Sequence, residues 1–254
     1  MADDLAVALS KRLERCLGHS DEIRAAFAQD YLRKAEAVTA LVDLALLLSP
    51  EQMAAMDRGE TIPITALSGQ QRALLAGAEP AMRELGFVQE GQTLDGATVH
   101  FASTGQMWFA WGEPPTCRMG LNWLPYSQCD YGRQEGLRQA QEHWRGRREW
   151  LVGLHYADFR QAADCGRVLF RLALSLTRDQ AAAMFEGDGI PVASLRPEQQ
   201  ALLEVGMALY PSLPPGDLHD CRVRFEPHGQ FRLIHAGPAE GSRSGAGWLP
   251  YSWK

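Results

Sequence analysis

LSPEQMAAMDRGETIPITALSGQQRALL, residues 48–75, returns as LTRDQAAAMFEGDGIPVASLRPEQQALL, residues 176–203, with no gap and a constant shift of 128 positions. Thirteen of the 28 aligned positions are identical, among them Gln52/Gln180, Met56/Met184, Gly59/Gly187, Ile62/Ile190, Pro63/Pro191 and Gln71/Gln199. Further on, Trp123-Leu-Pro-Tyr-Ser127 recurs letter for letter as Trp248-Leu-Pro-Tyr-Ser252. Self-similarity of this density makes an internal duplication the first architectural expectation.

The repeated letters are mostly helix punctuation. Ser49-Pro50-Glu51-Gln52 reads as a capping box, with Ser49 as N-cap, Pro50 in the first turn and Gln52 reaching back to the cap. Thr177-Arg178-Asp179-Gln180 follows the same logic. Gly59 and Gly187 stop the short helices that follow, because glycine alone takes the left-handed conformation there without strain. Ile62-Pro63 and Ile190-Pro191 force an extended connection. Ser68 with Gln71, and Pro197 in the second copy, open a further helix each.

Outward from this stretch, Leu5, Leu9, Leu13, Cys16 and Leu17 recur at helical spacing and predict a helix from about Asp4 to Leu17, ended by Gly18. Ser20 starts a long helix whose buried stripe runs from Ile23 to Ala45. Leu41, Leu44, Ala45, Leu46 and Leu48 match Leu169, Leu172, Ala173, Leu174 and Leu176 at the same shift, extending the repeat upstream. Downstream the period changes to two. Val99, Phe101, Met107 and Phe109 about Gly105 correspond to Val223, Phe225, Phe231 and Leu233 about Gly229, a β-hairpin with glycine in its turn. WLPYS ends each copy, its proline fitting an edge strand or a strand end.

The expected fold is therefore α+β, two copies of a helix-helix-helix-hairpin-strand series, with both hairpins joined in one antiparallel sheet covered by helices. Its expected divisions are a first unit over 1–130 with the N-terminal helices, a linking helix over 131–150, and a second unit over 151–254. The span from Leu75 to Trp123 exceeds that from Leu203 to Trp248, so the copies differ in a loop between last helix and WLPYS.

Composition narrows the function classes. Hydrophobic content of 46% with 22% charged residues is that of a globular chain. A net charge of -6 opposes non-specific nucleic-acid binding. The most apolar run, 38–48, is too short for a membrane span. The acidic start Met1-Ala2-Asp3-Asp4 is unlike a secretory signal, so a complete chain is expected in the cytoplasm and one cut from a longer precursor could be exported. Arg138, Arg145, Arg147 and Arg148 alternate with Glu135, Glu142 and Glu149, which reads as a solvated helix face. The five cysteines, Cys16, Cys117, Cys129, Cys165 and Cys221, form no CxxC pair and none is matched between copies; the only bridge weighed is Cys117–Cys129.

No catalytic motif stands out, and neither metal nor cofactor is expected. The best local cluster is His219, Cys221 and His228, with His235 nearby, a Cys/His pair or metal site in the second copy. The repeated aromatics Trp123, Tyr126, Trp248 and Tyr251 either lock the hairpin to the helices or line a ligand groove where the two WLPYS segments approach. The leading expectation is a non-enzymatic binding or interaction module directed at a protein or peptide, with that groove as its site. The alternatives are an enzyme using the His/Cys cluster and a structural subunit of a larger assembly. Oligomeric state is left open.

Overall fold

The computed structural model describes residues 2–112, 117–130, 132, 135–184, 189–209, 218–235 and 243–253. The chain is α+β. Its α-helices are α1 (Ala2–Leu17), α2 (Ser20–Leu46), α3 (Pro50–Asp57), α4 (Gly69–Glu84), α5 (Leu137–Trp144), α6 (Arg148–Leu174), α7 (Arg178–Ala183) and α8 (Pro197–Ala208). Its strands are β1 (Ile62–Pro63), β2 (Ala97–Phe101), β3 (Gln106–Trp111), β4 (Cys117–Asn122), β5 (Ile190–Pro191), β6 (Cys221–Phe225), β7 (Gln230–His235) and β8 (Arg243–Gly247). Among the described residues no single helix is long and apolar enough to cross a membrane.

The strands form two separate antiparallel sheets, β1-β2-β3-β4 and β5-β6-β7-β8, and not the single sheet expected from the hairpins. Ile62-Pro63 and Ile190-Pro191 supply the first edge of each sheet, pairing with Val99–Thr98 and Val223–Arg222. A proline on an edge strand withholds the donor that a further strand would need, so these edges terminate their sheets. WLPYS is not a strand. β4 and β8 precede it, and after Pro125 and Pro250 the chain turns into a short 3-10 helix, Tyr126–Gln128 or Tyr251–Trp253.

The chain divides into two compact units. One is continuous, Leu32–Phe159, and holds the sheet β1–β4. The other is split, Met1–Tyr31 with Arg160–Lys254, and holds β5–β8. These limits differ from the divisions at 130 and 150 drawn on the sequence, because each long helix contributes its first part to one unit and its second part to the other. The stretch read as a linking helix is α5 followed by the start of α6, and it carries the same relation to α6 that α1 carries to α2. The starts of α2, α3, β1 and α4 all recur 128 residues later as α6, α7, β5 and α8. The shift is 124 by the time β2 and β3 recur as β6 and β7.

Two polar devices, present in both units, explain the repeated letters. The first joins the helix caps. Gln52 closes the capping box on Ser49, its Oε1 accepting the Ser49 N–H at 2.9 Å, and Gln71 does the same for Ser68 at 2.8 Å. The two amides also bond each other, Gln71 Nε2 donating to Gln52 Oε1 at 2.9 Å and to the Leu47 carbonyl at 3.0 Å. Gln180 and Gln199 reproduce this over Thr177, Arg196 and the Ser175 carbonyl. Gln71 and Gln199 are buried, so their amides must be satisfied inside the protein.

The second device closes each hairpin. Gly105 and Gly229 have φ of 99° and 92°, a region that favours glycine. A side chain at Gly105 would also meet Leu124 Cβ at 2.8 Å. The Gly105 carbonyl accepts the Trp123 N–H at 2.9 Å, and the indole Nε1 donates to the Ala102 carbonyl at 2.9 Å. In the split unit the Gly229 carbonyl accepts the Trp248 N–H, and its indole donates to the Glu226 carbonyl, both at 2.9 Å. Both indoles are fully buried, as are Val99, Phe101 and Phe109 of one sheet and Val223, Phe225 and Phe231 of the other. Even the strand N–H groups that β1 and β5 are too short to cover are met alike: Phe101 N–H donates to Met56 Sδ and Phe225 N–H to Met184 Sδ.

Truncating either tryptophan removes a large buried side chain together with the donor that fixes the turn. Trp123→Ala and Trp248→Ala should each lower the unfolding free energy by about 3–5 kcal/mol in a denaturant titration; losses within about 0.5 kcal/mol would assign both indoles to the surface instead. The exchanged helix parts give a second expectation. Separate chains of residues 1–130 and 131–254 each lack part of both units, so neither should unfold cooperatively alone. Mixing them should restore a cooperative transition by circular dichroism, and two independently folded fragments would overturn that assignment of helix to unit.

Candidate interaction surface

The aromatic residues expected to line a groove are divided by the fold. Trp123 and Trp248 present no surface to a ligand, at 0% exposure. Tyr126 is exposed, and Tyr251 is half-buried with its ring 5.8 Å from Tyr31. No groove therefore follows the indoles in either unit. Their repetition reflects their place in the cores.

Of the His/Cys cluster, His228 stands apart from Cys221. Cys221 begins β6 and is buried, whereas His228 lies in the turn beyond the far end of that five-residue strand. At about 3.4 Å per residue the strand holds them well apart. His228 is exposed and pairs with Glu226 at 3.0 Å. His219 sits in an exposed 3-10 turn ahead of β6. His235 is the register partner of Cys221. The bridge weighed from Cys117 to Cys129 is not formed. Cys129 is a free thiol directed at the Leu124 carbonyl, 3.6 Å away. Among the described residues no group of His, Cys, Asp and Glu has the geometry of a metal site.

The continuous unit instead collects titratable groups that the sequence did not single out. Asp158 on α6 accepts the Ser127 N–H at 3.5 Å, and His155, one turn earlier, meets the Trp123 carbonyl through Nε2 at 3.1 Å. Lys34 on α2 stands 5.2 Å from the Phe159 ring and 5.6 Å from the Phe87 ring. All three side chains are buried. Burial pushes His155 down to about 4, and the Lys34 charge adds to the effect. Burial likewise pushes the Asp158 carboxyl up and the Cys129 thiol up to about 11, with the Asp158 charge contributing. Neither a neutral thiol nor a neutral imidazole of this kind is an activated nucleophile at pH 7. In the split unit, Asp30 holds Ser252 as Asp158 holds Ser127, with bonds of 2.8 and 3.0 Å to its N–H and hydroxyl. There, however, Phe27 occupies the position of His155 and Ala162 that of Lys34. The shared aspartate fastens WLPYS to the long helix; the lysine and histidine are additions of one unit. The signal for the aspartate was present, since Asp30-Tyr31 and Asp158-Phe159 stand 128 apart, but it lies outside the densely matched stretch.

The other unrepeated feature lies at the corner between α5 and α6. Trp144 is buried, and Trp150 stacks on it at 5.5 Å and 17° while remaining 47% exposed. Arg147 stands 6.0 Å over the Trp144 ring, and the His143 ring meets that indole edge-on at 4.5 Å. Arg148 is committed to Asp43 by two bonds of 2.5 and 2.8 Å, which tie the start of α6 to α2. Arg138 pairs with Glu142. Arg145 instead donates to the neutral Gln141 amide, and Arg147 lies 3.5 Å from His143. Neither meets a carboxylate among the described residues. The face read from sequence as uniformly solvated thus has an exposed aromatic beside two guanidiniums with no acidic partner. The corresponding positions of the split unit carry Glu22, Leu17 and His19 in place of Trp150, Arg145 and Arg147.

His155 gives this unit a pH signature. Its folded pKa, about 4, lies below the unfolded value near 6.5, so the unfolded chain binds the extra proton between these limits. Stability from this group is complete above pH 6.5 and declines by roughly 3 kcal/mol as pH falls through 4. Asp158 acts in the opposite sense, its contribution being greatest below the unfolded carboxylate pKa and lost as pH rises. Urea titrations across pH 4–7 of the parent and His155→Phe, the residue the other unit uses, should show the slope attributable to His155 vanish in the variant. Parallel curves would remove His155 as its source.

Comparison with known proteins finds no matching family model, no matching curated protein and no matching solved structure.

Proposed function

We propose that this chain is a non-enzymatic binding module directed at a protein or peptide, and that the α5–α6 corner of the continuous unit is its contact surface. The observation that carries the reading is Trp150, an exposed indole stacked on a buried one and flanked by Arg145 and Arg147, at a position where the other unit has glutamate. Tryptophan and arginine dominate the energetics of protein interfaces, because a rigid aromatic face and a planar charged fork gain much on desolvation at little entropic cost. Two guanidiniums without carboxylates, in a chain of net charge -6, select an acidic partner segment. On this reading the two units are copies of one ancestral element series. A position that the second copy does not need for folding is then free to specialise.

The test uses a glutamate–tyrosine copolymer as a probe of acidic, aromatic chains, followed by fluorescence anisotropy. The parent should bind it with an affinity that falls as salt is raised. Trp150→Glu and Arg147→Glu should each weaken binding by about tenfold or more while leaving the circular dichroism unchanged. A parent that does not bind, or variants that bind as the parent does, would overturn the proposal.

A further inference from the structure

Helical spacing puts Arg72, Leu75 and Glu79 on one face of α4. Together with Ile64 and the stretch Thr93–Asp95, which enters the 3-10 turn Leu94–Gly96, they line a cleft of about 240 Å³ within the continuous unit. Ile64, Leu75 and Leu94 are buried and give the cleft an apolar floor. Its rim is charged, with Arg72 and Asp95 both exposed. Side-chain bonds fix the walls. Trp111 Nε1 donates to the Thr93 carbonyl at 3.0 Å. Arg83 donates to Glu79 Oε1 from Nε at 3.0 Å and to the Gln92 carbonyl from Nη2 at 2.7 Å, joining the helix to the opposite wall. The Glu79 charge is thereby answered. Among the described residues, Arg72 has no carboxylate partner and Asp95 has no cation.

The split unit fills the same positions differently. Gln200 stands for Arg72, Met207 for Glu79 and His219 for Asp95. The Gln200 amide donates to the Val192 and Leu195 carbonyls at 3.1 and 3.0 Å. Val192 is the counterpart of Ile64, so this glutamine is tied to the backbone at the equivalent of the cleft floor. Arg72 makes no such bond, and its guanidinium is left to the cleft. The same series of elements therefore forms without the guanidinium and without either carboxylate. Folding does not account for opposite, unpaired charges set about one apolar floor.

We propose that this cleft binds a small zwitterion of the α-amino acid class with an aliphatic side chain. Each part of such a ligand has a counterpart in the lining. The Arg72 guanidinium fork matches a carboxylate with two parallel bonds. Asp95 answers an ammonium group, and Ile64, Leu75 and Leu94 receive the aliphatic part. An apolar lining with a few convergent polar groups is the usual make-up of a small-molecule site. Volume sets the size of the ligand. Drug-sized molecules occupy clefts of roughly 300–1,000 Å³, and 240 Å³ admits a smaller one. The cleft shares no residue with the Trp150 corner and stands independently of the function proposed there.

The test is a thermal-unfolding titration of the full chain with L-leucine, 4-methylpentanoate and isopentylamine. The last two are leucine without its ammonium group and without its carboxylate, respectively. Leucine should give a saturable rise in Tm, since a ligand that binds only the folded state stabilises by mass action. Either analogue should bind about tenfold or more weakly, the loss expected for one charged contact. Arg72→Gln, which installs the residue of the other unit, should fold and weaken leucine binding by a similar factor. Asp95→Asn should weaken leucine while leaving 4-methylpentanoate unchanged, a difference that a merely structural role would not produce. Arg138→Gln, at an exposed arginine on another helix of the same unit, should bind leucine as the parent does. No saturable response to leucine, or an undiminished one in Arg72→Gln, would overturn the proposal. An analogue that binds as tightly as leucine would make the cleft a site for a simple acid or amine and overturn it in that form.

Discussion

Each sheet depends on one clasp. A buried tryptophan donates its backbone N–H to the carbonyl of the turn glycine and its indole N–H to the carbonyl three residues before that glycine. The clasp converts a marginal hairpin into a closed corner, because the third strand ends against the turn between the first two. It fixes where β4 and β8 stop, and it buries the largest side chain of each core. The serine four residues on is held by an aspartate of a long helix, Asp158 in one unit and Asp30 in the other. Through that bond the sheet and the helix are set in register with each other.

A repeated chain permits a comparison that a single domain does not. Positions alike in both units are explained by folding: caps, stops, the paired glutamines, the clasp and the aspartate. Positions that differ mark what folding does not require. Lys34 and His155 against Ala162 and Phe27 show that a buried polar pair can replace an apolar one within the same frame. Trp150 against Glu22 places an exposed aromatic where charge would serve. Arg224 and Arg232 against His100 and Trp108 place a cross-strand arginine pair where the other sheet stacks two rings. The repeated tryptophans, which attract attention first, have no exposed surface.

The chemistry of the buried groups points the same way. Burial raises the thiols of Cys129 and Cys165, to about 11 and about 12, and lowers the imidazole of His155. Each shift favours the neutral form, because a charge loses its hydration inside the protein. Nucleophilic catalysis needs the reverse, a thiolate kept ionised by a neighbouring cation or helix terminus.

Local structure was legible in the sequence. Ser49 with Gln52, Thr177 with Gln180, and Ser68 with Gln71 announce helix starts because a cap and the residue it bonds are neighbours along the chain. The alternation about Gly105 and Gly229 announces the hairpins for the same reason. The sequence alone thus determined the α+β class and the starts of the capped helices, whereas it put a terminal strand at WLPYS, where the structure has a 3-10 turn after β4 and β8. What only the tertiary structure decided are relations between residues far apart in the chain. These include which part of α2 and α6 joins which sheet, that the strands form two sheets and not one, and that β6 holds Cys221 away from His228. The burial of Trp123 and Trp248 belongs with them. An amphipathic aromatic suits a core and a groove equally, and only the carbonyl that receives its N–H distinguishes the two.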